Sequence, residues 1–426
     1  MGVFSGQVSA MAYDEITALL GGWPGYVIAA VTRAPGGTRT GAPQVTIELA
    51  VDAQVRRYCS RCGQAVAAVH DTSARRVREL PILDAETWLL VPLARVACPR
   101  CGPTVEALPW LDRYARMTTR FAESVARLAQ LLPIQQVATW FGLSWDTVRA
   151  IDHAAMAARL GPIDLTGVRQ IVIDEFAIQK GHRYATVVAD PATRRVLWVG
   201  RGRRREDVRP FFELLGPVGC AQLEAAGMDM SEAYEAETRA HCPGVTIVYD
   251  LFHVVAKFGR EVIDRVRVDA TNRVARASGR ADRTRVARRV IKGARWLLLR
   301  NGHSLARDDR IRLADLLAAN RRLWVVYVLK DALKALWRYR YAGVAARAWR
   351  AWYGWAVRSR IPALVTFARK LRPKLPGILA HCRYPLHTSV LEGINNKMKV
   401  LKRMAYGFRD DDYFFLKIRA AFPGNT

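Results

Sequence analysis

Gln170-Ile171-Val172-Ile173-Asp174 reads as an apolar β-strand that runs directly into a carboxylate. Isoleucine and valine fit the pleated backbone well. Tyr184 to Ala189 is a second strand-like run, Asp190-Pro191 a turn, and Val196 to Val199 a third strand. Helical and strand patterns then alternate as far as Val245 to Asp250, which predicts a mixed α/β sheet. Glu175 follows Asp174. Because adjacent strand residues face opposite sides, only one of the two can line a given site.

Outward from this sheet the chain changes character. Residues 1–50 are rich in Gly, Ala and Thr; only Ala12 to Leu20 looks helical, and no chemistry is assigned to them. Residues 51–105 carry paired cysteines around strand-like runs such as Trp88 to Val96, and residues 106–162 switch to helical periodicity. Residues 163–260 hold the α/β alternation and residues 381–426 a final patterned helix. Between them, residues 261–380 have almost no strand signal and read as a helical insertion. The expected architecture is a multidomain α/β protein, interrupted by that all-helical segment.

A chain of 426 residues allows two or three domains, and 51% hydrophobic residues can build sizeable cores. The charge is unusual: 66 Lys or Arg against 38 Asp or Glu leaves +28. Residues 261–380 supply 29 of those cations and 8 of the acids, so they hold most of the surplus. A surplus of this size implies a polyanionic partner. No run of about 18 apolar residues occurs, which excludes a spanning helix. Nor does a basic amphipathic helix with a clear lipid-facing stripe point to a membrane surface. With no Lys or Arg before Arg33 and no long apolar core, the N-terminus is not expected to be a signal peptide. Trp349, Trp352 and Trp355 stand at helical spacing and read as core before they read as base-stacking platforms.

Cys59-Ser-Arg-Cys62-Gly63 and Cys98-Pro-Arg-Cys101-Gly102 are two copies of one turn. Four thiolates so spaced can grip one tetrahedral zinc ion, and the following Gly permits the positive φ of a knuckle. The 35 intervening residues leave room for a hairpin. Such a zinc is structural, because four sulfurs leave no open position. His70 reads as a solvated loop residue; Cys220, Cys242 and Cys382 read as core.

Pro133 to Leu143 and Ser144 to Leu160 read as two helices meeting at Phe141-Gly142-Leu143. Ala138, Gly142 and Val148 fall where a helix-turn-helix needs a small residue, a turn glycine and a core aliphatic. Ser144 is an apt N-cap. Trp145, Asp146, Thr147 and Arg149 then occupy the positions that reach base edges in the major groove.

Three junctions carry acids: Asp174, Asp229 in Met228-Asp229-Met230-Ser231, and Asp250 before Leu251-Phe252-His253. Each is equally placed to cap a helix. Glu392 stands out because residues 332–391 contain no Asp or Glu. It opens a helix whose apolar face is Leu391, Ile394, Met398 and Leu401, with Asn395, Asn396, Lys399, Lys402 and Arg403 on the polar faces. A carboxylate one turn from amides and two turns from a lysine suits a metal and a phosphate backbone together. Three carboxylates on separate elements can hold two divalent ions roughly 3.5–4 Å apart for in-line phosphoryl displacement. Hard oxygen ligands suit Mg²⁺ or Mn²⁺.

In order, these parts and Ile173-Asp174-Glu175-Phe176, Asp229-Met230-Ser231-x-Ala233-Tyr234, Asp250-x-Phe252-His253, Glu392-Gly393-x-Asn395-x-x-x-Lys399 and Lys402-Arg403-x-x-Tyr406-Gly407-Phe408 resemble the ISL-three family of bacterial insertion-sequence transposases. The likeness runs from about residue 55 to 415. It implies a DDE transposase with a ribonuclease H-like catalytic core and Asp174, Asp229 and Glu392 as its metal-binding triad. Asp250, His253 and Lys399 become auxiliary residues, and the choice of Asp229 over Asp250 comes from the resemblance alone. Thr388 departs from some related groups, which carry arginine four residues before the glutamate. Implied with the family are binding of terminal inverted repeats and target DNA, Mg²⁺ or Mn²⁺ at the catalytic site, and structural zinc. A homodimer or larger complex on DNA in the bacterial cytoplasm at the nucleoid is implied as well. A catalytically inactive DNA-binding regulator and a nuclease without strand transfer share parts of this pattern.

Overall fold

The computed structural model describes residues 20–36, 41–179, 183–277, 281–300, 304–386, 389–405 and 407–424. They divide into two compact units, residues 1–161 with 404–406, and residues 162–403 with 407–426. The helix expected over Ala12 to Leu20 lies outside the described residues but for Leu20, and Thr388 and Tyr406 lie outside them too. No helix among the described residues is long and apolar enough to cross a membrane.

The first unit begins with strands where the sequence reading expects none. β1 (Tyr26–Ala34) pairs antiparallel with β2 (Gln44–Val51), and β2 runs across the division placed at residue 50. Two long strands, β3 (Val69–Ile82) and β4 (Ala85–Cys98), fill the spacer between the cysteine pairs as an antiparallel hairpin. The sheet order is β1-β2-β4-β3, with short β5 (Gly102–Val105) antiparallel to the end of β4. β2 joins because Val45, Ile47, Leu49 and Val51 alternate with Gln44, Thr46 and Glu48, which puts one apolar face on the core. There Ile47 and Leu49 are buried with Trp23, Tyr26, Leu89 and Val91.

Three helices complete this unit: α1 (Thr119–Ala129), α2 (Ile134–Phe141) and α3 (Trp145–Leu160). Gly142 ends α2 at φ 64°, a left-handed position that glycine takes without steric cost. Ser144 caps α3, its hydroxyl accepting from the Thr147 N–H at 3.1 Å. Ala138 and Val148 are buried together with Phe121, Val125, Val137 and Phe141, so the small residue and the aliphatic hold the turn as the spacing requires.

In the second unit five strands form a sheet in the order 246–249, 225–228, 170–179, 183–189 and 196–201. β6 (Gln170–Gln179), β7 (Arg183–Ala189) and β8 (Val196–Arg201) are antiparallel neighbours; β9 (Ala225–Met228) and β10 (Thr246–Tyr249) run parallel to β6. Both faces are covered, which explains the unbroken apolar run at the start of β6. Ile171 and Ile173 face one core with Phe211, Phe212 and Tyr249. Val172 faces the other with Val248, Ile394, Met398 and Phe414. Gly227 is in β9 because a Cβ there would sit 3.0 Å from Val172 and 3.3 Å from Leu386.

Helices α4 (Arg205–Gln222) and α5 (Glu232–His241) pack on the first face and are joined by a buried ion cluster. Glu237, its side chain 1% exposed, accepts from Arg205, from Arg209 at 2.7 Å and pairs with His241. Burial opposes its charge, but the hydrogen bonds from Arg209, Arg205 and His241 prevail and hold the carboxyl down to about 2. Glu237→Gln is therefore expected to cost about 2 kcal/mol at pH 7, less than a fully buried pair because both guanidiniums are half-exposed. A depressed carboxyl pKa adds stability above about pH 4.5 that fades as pH falls toward 2. Urea melts of both proteins should converge across that window; a constant gap would show that packing, not charge, is lost.

From α6 (Leu251–Phe258) to Cys382, every element among the described residues is helical. A single π turn, Gly259–Ile263, follows α6 directly. Trp349 and Trp352 are 3% exposed and join the core, whereas Trp355 is 39% exposed and lies 6.3 Å from the ring of Trp324. One cation here is structural. Lys330, 1% exposed, donates to the carbonyls of Leu298 and Arg300 at 2.9 Å, and burial draws its ammonium down to about 8. The chain returns to the sheet with α7 (Ser389–Met404) and α8 (Asp411–Ala421), which bring Ile394, Met398, Phe414, Phe415 and Ile418 onto the second face.

Candidate active site

In the first unit, the Sγ atoms of Cys59, Cys62, Cys98 and Cys101 lie within 4.8 Å of one another. Gly63 and Gly102 take φ of 71° and 72°, and the Arg61 N–H points at the Cys59 sulfur at 3.4 Å. Burial raises the Cys59 thiol, but backbone N–H groups of Cys62 and Arg61 hold it down to about 6. Burial and the neighbouring sulfurs push Cys101 up to about 12. Four converging sulfurs cannot all carry charge without a cation, and a soft tetrahedral donor set fits zinc. His70 is exposed beside Asp71 and outside this cluster. Cys220 and Cys242 are buried in the other unit's core; Cys382 is half-buried, its thiol donating to the Tyr339 carbonyl.

At the start of α3, Trp145 is 44% exposed and Asp146 is exposed. Thr147 and Arg149 are half-buried, and the Thr147 hydroxyl lies 2.7 Å from that of Ser144, within the cap.

In the second unit Asp229 and Asp250 stand just past the ends of β9 and β10, whereas Asp174, expected at a strand-end junction, stands midway along β6, which runs on to Gln179 beside β7. Val172 pairs with Gly227, and Val248 with Gly227 in turn. Two residues beyond these stand Asp174, Asp229 and Asp250; the register, continued by the Asp250 N–H to the Met228 carbonyl at 3.0 Å, lines the three aspartates up on the Val172 face. Asp174 accepts from the Asn395 amide at 2.7 Å and from the Glu175 N–H at 2.9 Å. Burial raises its carboxyl; His253, Asn395 and the Glu175 N–H oppose that, and Asp229 adds to it. Asp229 accepts from the Ser231 N–H at 2.9 Å. Asp250 is 7% exposed: one oxygen accepts from the Phe252 N–H at 3.1 Å. Its other oxygen is buried 3.7 Å from the His253 imidazole and has no hydrogen-bond partner among the described residues.

Glu392 lies on α7 one turn before Asn395; its side chain lies outside the described residues. The contact from Asn395 to Asp174 nevertheless fixes which side of α7 meets the acid row. Asn395, expected to contact DNA, spends its amide on Asp174. Lys402 donates to the Ala177 carbonyl at 3.3 Å, while Lys399 and Arg403 are exposed. The orphaned buried oxygen of Asp250, together with the half-buried carboxyls of Asp174 and Asp229, is a donor set that suits a hard divalent cation.

Sequence reasoning gave no role to several neighbours. Glu175 is raised by burial and then by Asp229 and Asp174, against Arg203 and His253. Arg203 stands 3.6 Å from Glu175 and 4.0 Å over the Tyr184 ring. Tyr234, fully buried, shares a 2.8 Å hydrogen bond with Thr186. Their only advance signal was the dense Arg201 to Arg205 run and the Tyr in Asp229-Met-Ser-x-Ala-Tyr234.

Comparison with known families matches residues 171–418 to a family described as "Transposase". Residues 106–156 match the "Helix-turn-helix domain of transposase family ISL3", and residues 56–101 the "zinc-finger of transposase IS204/IS1001/IS1096/IS1165". The transposase for insertion sequence element IS1001 of Bordetella parapertussis is 51% identical over 408 residues, covering 96% of this chain and 98% of that protein. The transposase for insertion sequence element IS1557 of Mycobacterium tuberculosis (strain CDC 1551 / Oshkosh) is 32% identical over 372 residues, 83% of each chain. With its cysteine cluster, helix-turn-helix and acid-bearing α/β sheet, the chain belongs to the ISL3 family of insertion-sequence transposases.

Proposed function

We propose that this transposase binds the terminal inverted repeats of its element and cleaves and rejoins DNA strands there, with Asp174, Asp229 and Glu392 as the catalytic acids. The observation that carries this is the row Asp174, Asp229, Asp250 on one sheet face, with the Glu392 helix bonded to it through Asn395. Two antiparallel strands beside β6 on one side and two parallel ones on the other support a ribonuclease H-like core into which the helical segment 261–380 is inserted.

Asp174, Asp229 and Glu392 would hold Mg²⁺ or Mn²⁺, which supplies activation of the attacking water or 3′-hydroxyl and charge relief at the leaving oxygen. Asn395 orients Asp174, and His253 faces the acids from the first turn of α6. Trp145, Thr147 and Arg149 address base edges. Lys399, Lys402, Arg403 and the cations of residues 261–380 address phosphates, so affinity should fall steeply with salt. Because two element ends must be held at once, the working form is a dimer or larger assembly on nucleoid DNA in the cytoplasm.

The test is to incubate the protein with Mg²⁺ or Mn²⁺ and a labelled duplex bearing its element's terminal repeat, beside Asp174→Ala and Glu392→Ala. Expected is metal-dependent nicking or joining at the repeat boundary, lost in both variants while binding persists. Tight binding without cleavage under either metal would mark a DNA-binding regulator instead. Equal cleavage by the variants would discard these carboxylates.

A further inference from the structure

We propose that Phe252 is a nucleobase-stacking residue of this active site, taking the base beside the scissile phosphate when that base leaves the duplex stack. The proposal deepens the strand-cleavage reading above and rests on it for the position of the phosphate.

Phe252 is 67% exposed, whereas every other phenylalanine described in this unit is buried or half-buried. Other open aromatics of this unit, such as Trp296 at 65% and Tyr341 at 75%, lie in the helical segment, whereas Phe252 stands at the aspartate row. It does not sit on a free loop. Its N–H donates to Asp250 at 3.1 Å, which ties its backbone to the end of the aspartate row. Its ring meets the His253 imidazole edge-on, with centroids 5.6 Å apart and planes at 85°. That imidazole is 3.7 Å from the Asp250 carboxylate. Ring, imidazole and the Asp250 carboxylate are therefore consecutive neighbours, which places Phe252 beside the aspartate row where the proposed phosphate would lie.

The chemistry selects the ligand class. A phenylalanine ring offers no hydrogen bond, so it cannot read a base edge, but every base has a π-face to stack on it. Such a residue recognises an unpaired base at a fixed position, not a sequence. It favours opening of the duplex where a strand must bend toward buried carboxylates, since enzymes that reach into a duplex gain by holding the displaced base. The net charge of +28 brings the duplex to the protein but gives no such positional information.

The first measurement needs no catalysis. Full-length protein, without divalent metal, is bound to a terminal-repeat duplex carrying 2-aminopurine at the base flanking the repeat boundary. Binding of the wild type should raise the probe's emission several-fold as it leaves the stack. Phe252→Tyr should keep the rise, and Phe252→Ala should lose it while still binding by fluorescence anisotropy. With Mg²⁺ present, Phe252→Ala should cleave the matched duplex roughly 5- to 150-fold more slowly, the range for losing one stacked base. It should recover on a duplex mismatched at that base, where unstacking is already done.

Flat emission with the wild type, or an equal rise with Phe252→Ala, overturns the proposal. So does an equal loss of cleavage on matched and mismatched duplexes, or failure of Phe252→Tyr to retain the rise, since both mark a folding defect. Cleavage by the wild type with flat emission removes the stacking residue and leaves the strand-cleavage reading intact. A Phe252-dependent rise without any cleavage does the reverse.

Discussion

Asp229→Asn is expected to slow metal-dependent cleavage at a terminal repeat by roughly 10³-fold or more, the scale on which one preorganised electrostatic group acts. The substitution is nearly isosteric and keeps an oxygen to accept from the Ser231 N–H, so the β9–α5 junction should hold. What it removes is the charge a divalent cation needs. Asp250→Asn is the informative companion, because Asp250 stands in the same row and cannot be told from Asp229 by position alone. Asparagine is as good an N-cap as aspartate, so α6 should still start at residue 251. If Asp250 acts through His253, its loss should cost only about 10- to 100-fold, as for outer-shell partners of a metal ligand. Single-turnover cleavage measured for both variants over a Mg²⁺ titration separates the two. An Asp250→Asn defect as deep as that of Asp229→Asn, unrescued by metal, would move Asp250 into the set of direct ligands.

Removing zinc should produce the second large effect. The apolar support at the knuckles is slight: Val66 and Val96 are the buried aliphatics packed with the four cysteines. Backbone bonds such as Cys59 N–H to the Gln64 carbonyl and Ala107 N–H to that of Tyr58 hold the turns only while the sulfurs are held. Since metal-binding energy in such sites is folding energy, chelation or Cys98→Ser should cost several kcal/mol locally. The expected readouts are one zinc per chain by elemental analysis and loss of hydrogen-exchange protection at residues 58–66 and 102–107. The β1–β4 core around Trp23, Ile47 and Leu89 should keep its protection. Retained protection after complete metal removal would make the cluster a set of buried thiols and nothing more.

Much of this was legible beforehand, for physical reasons that differ by element. The cysteine turns and the helix-turn-helix are local patterns: Gly63, Gly102, Gly142 and Ser144 announce them by the backbone conformations they permit or cap. β6 was legible because a strand covered on both faces leaves an unbroken apolar run. β1 and β2 were not, although Val45, Ile47, Leu49 and Val51 alternate cleanly, because a Gly-, Ala- and Thr-rich setting masks the period. Long-range partnership was beyond periodicity altogether. Nothing in the spacing of Asn395 says that its amide is turned to Asp174. The row Asp174, Asp229, Asp250 follows from strand register, which sequence does not print.

That pairing of Asn395 with Asp174 spans 221 positions of the chain, and it has a temporal side. During translation at roughly 5–20 residues per second, the helix carrying Glu392 is made about 10–40 s after the first aspartate. Throughout that interval the helix-turn-helix has already been synthesised, so the nascent polypeptide can meet DNA before it can cut. On the proposed assignment of Glu392, a message truncated before residue 389 yields a product that keeps the helix-turn-helix and lacks both the third acid and Asn395.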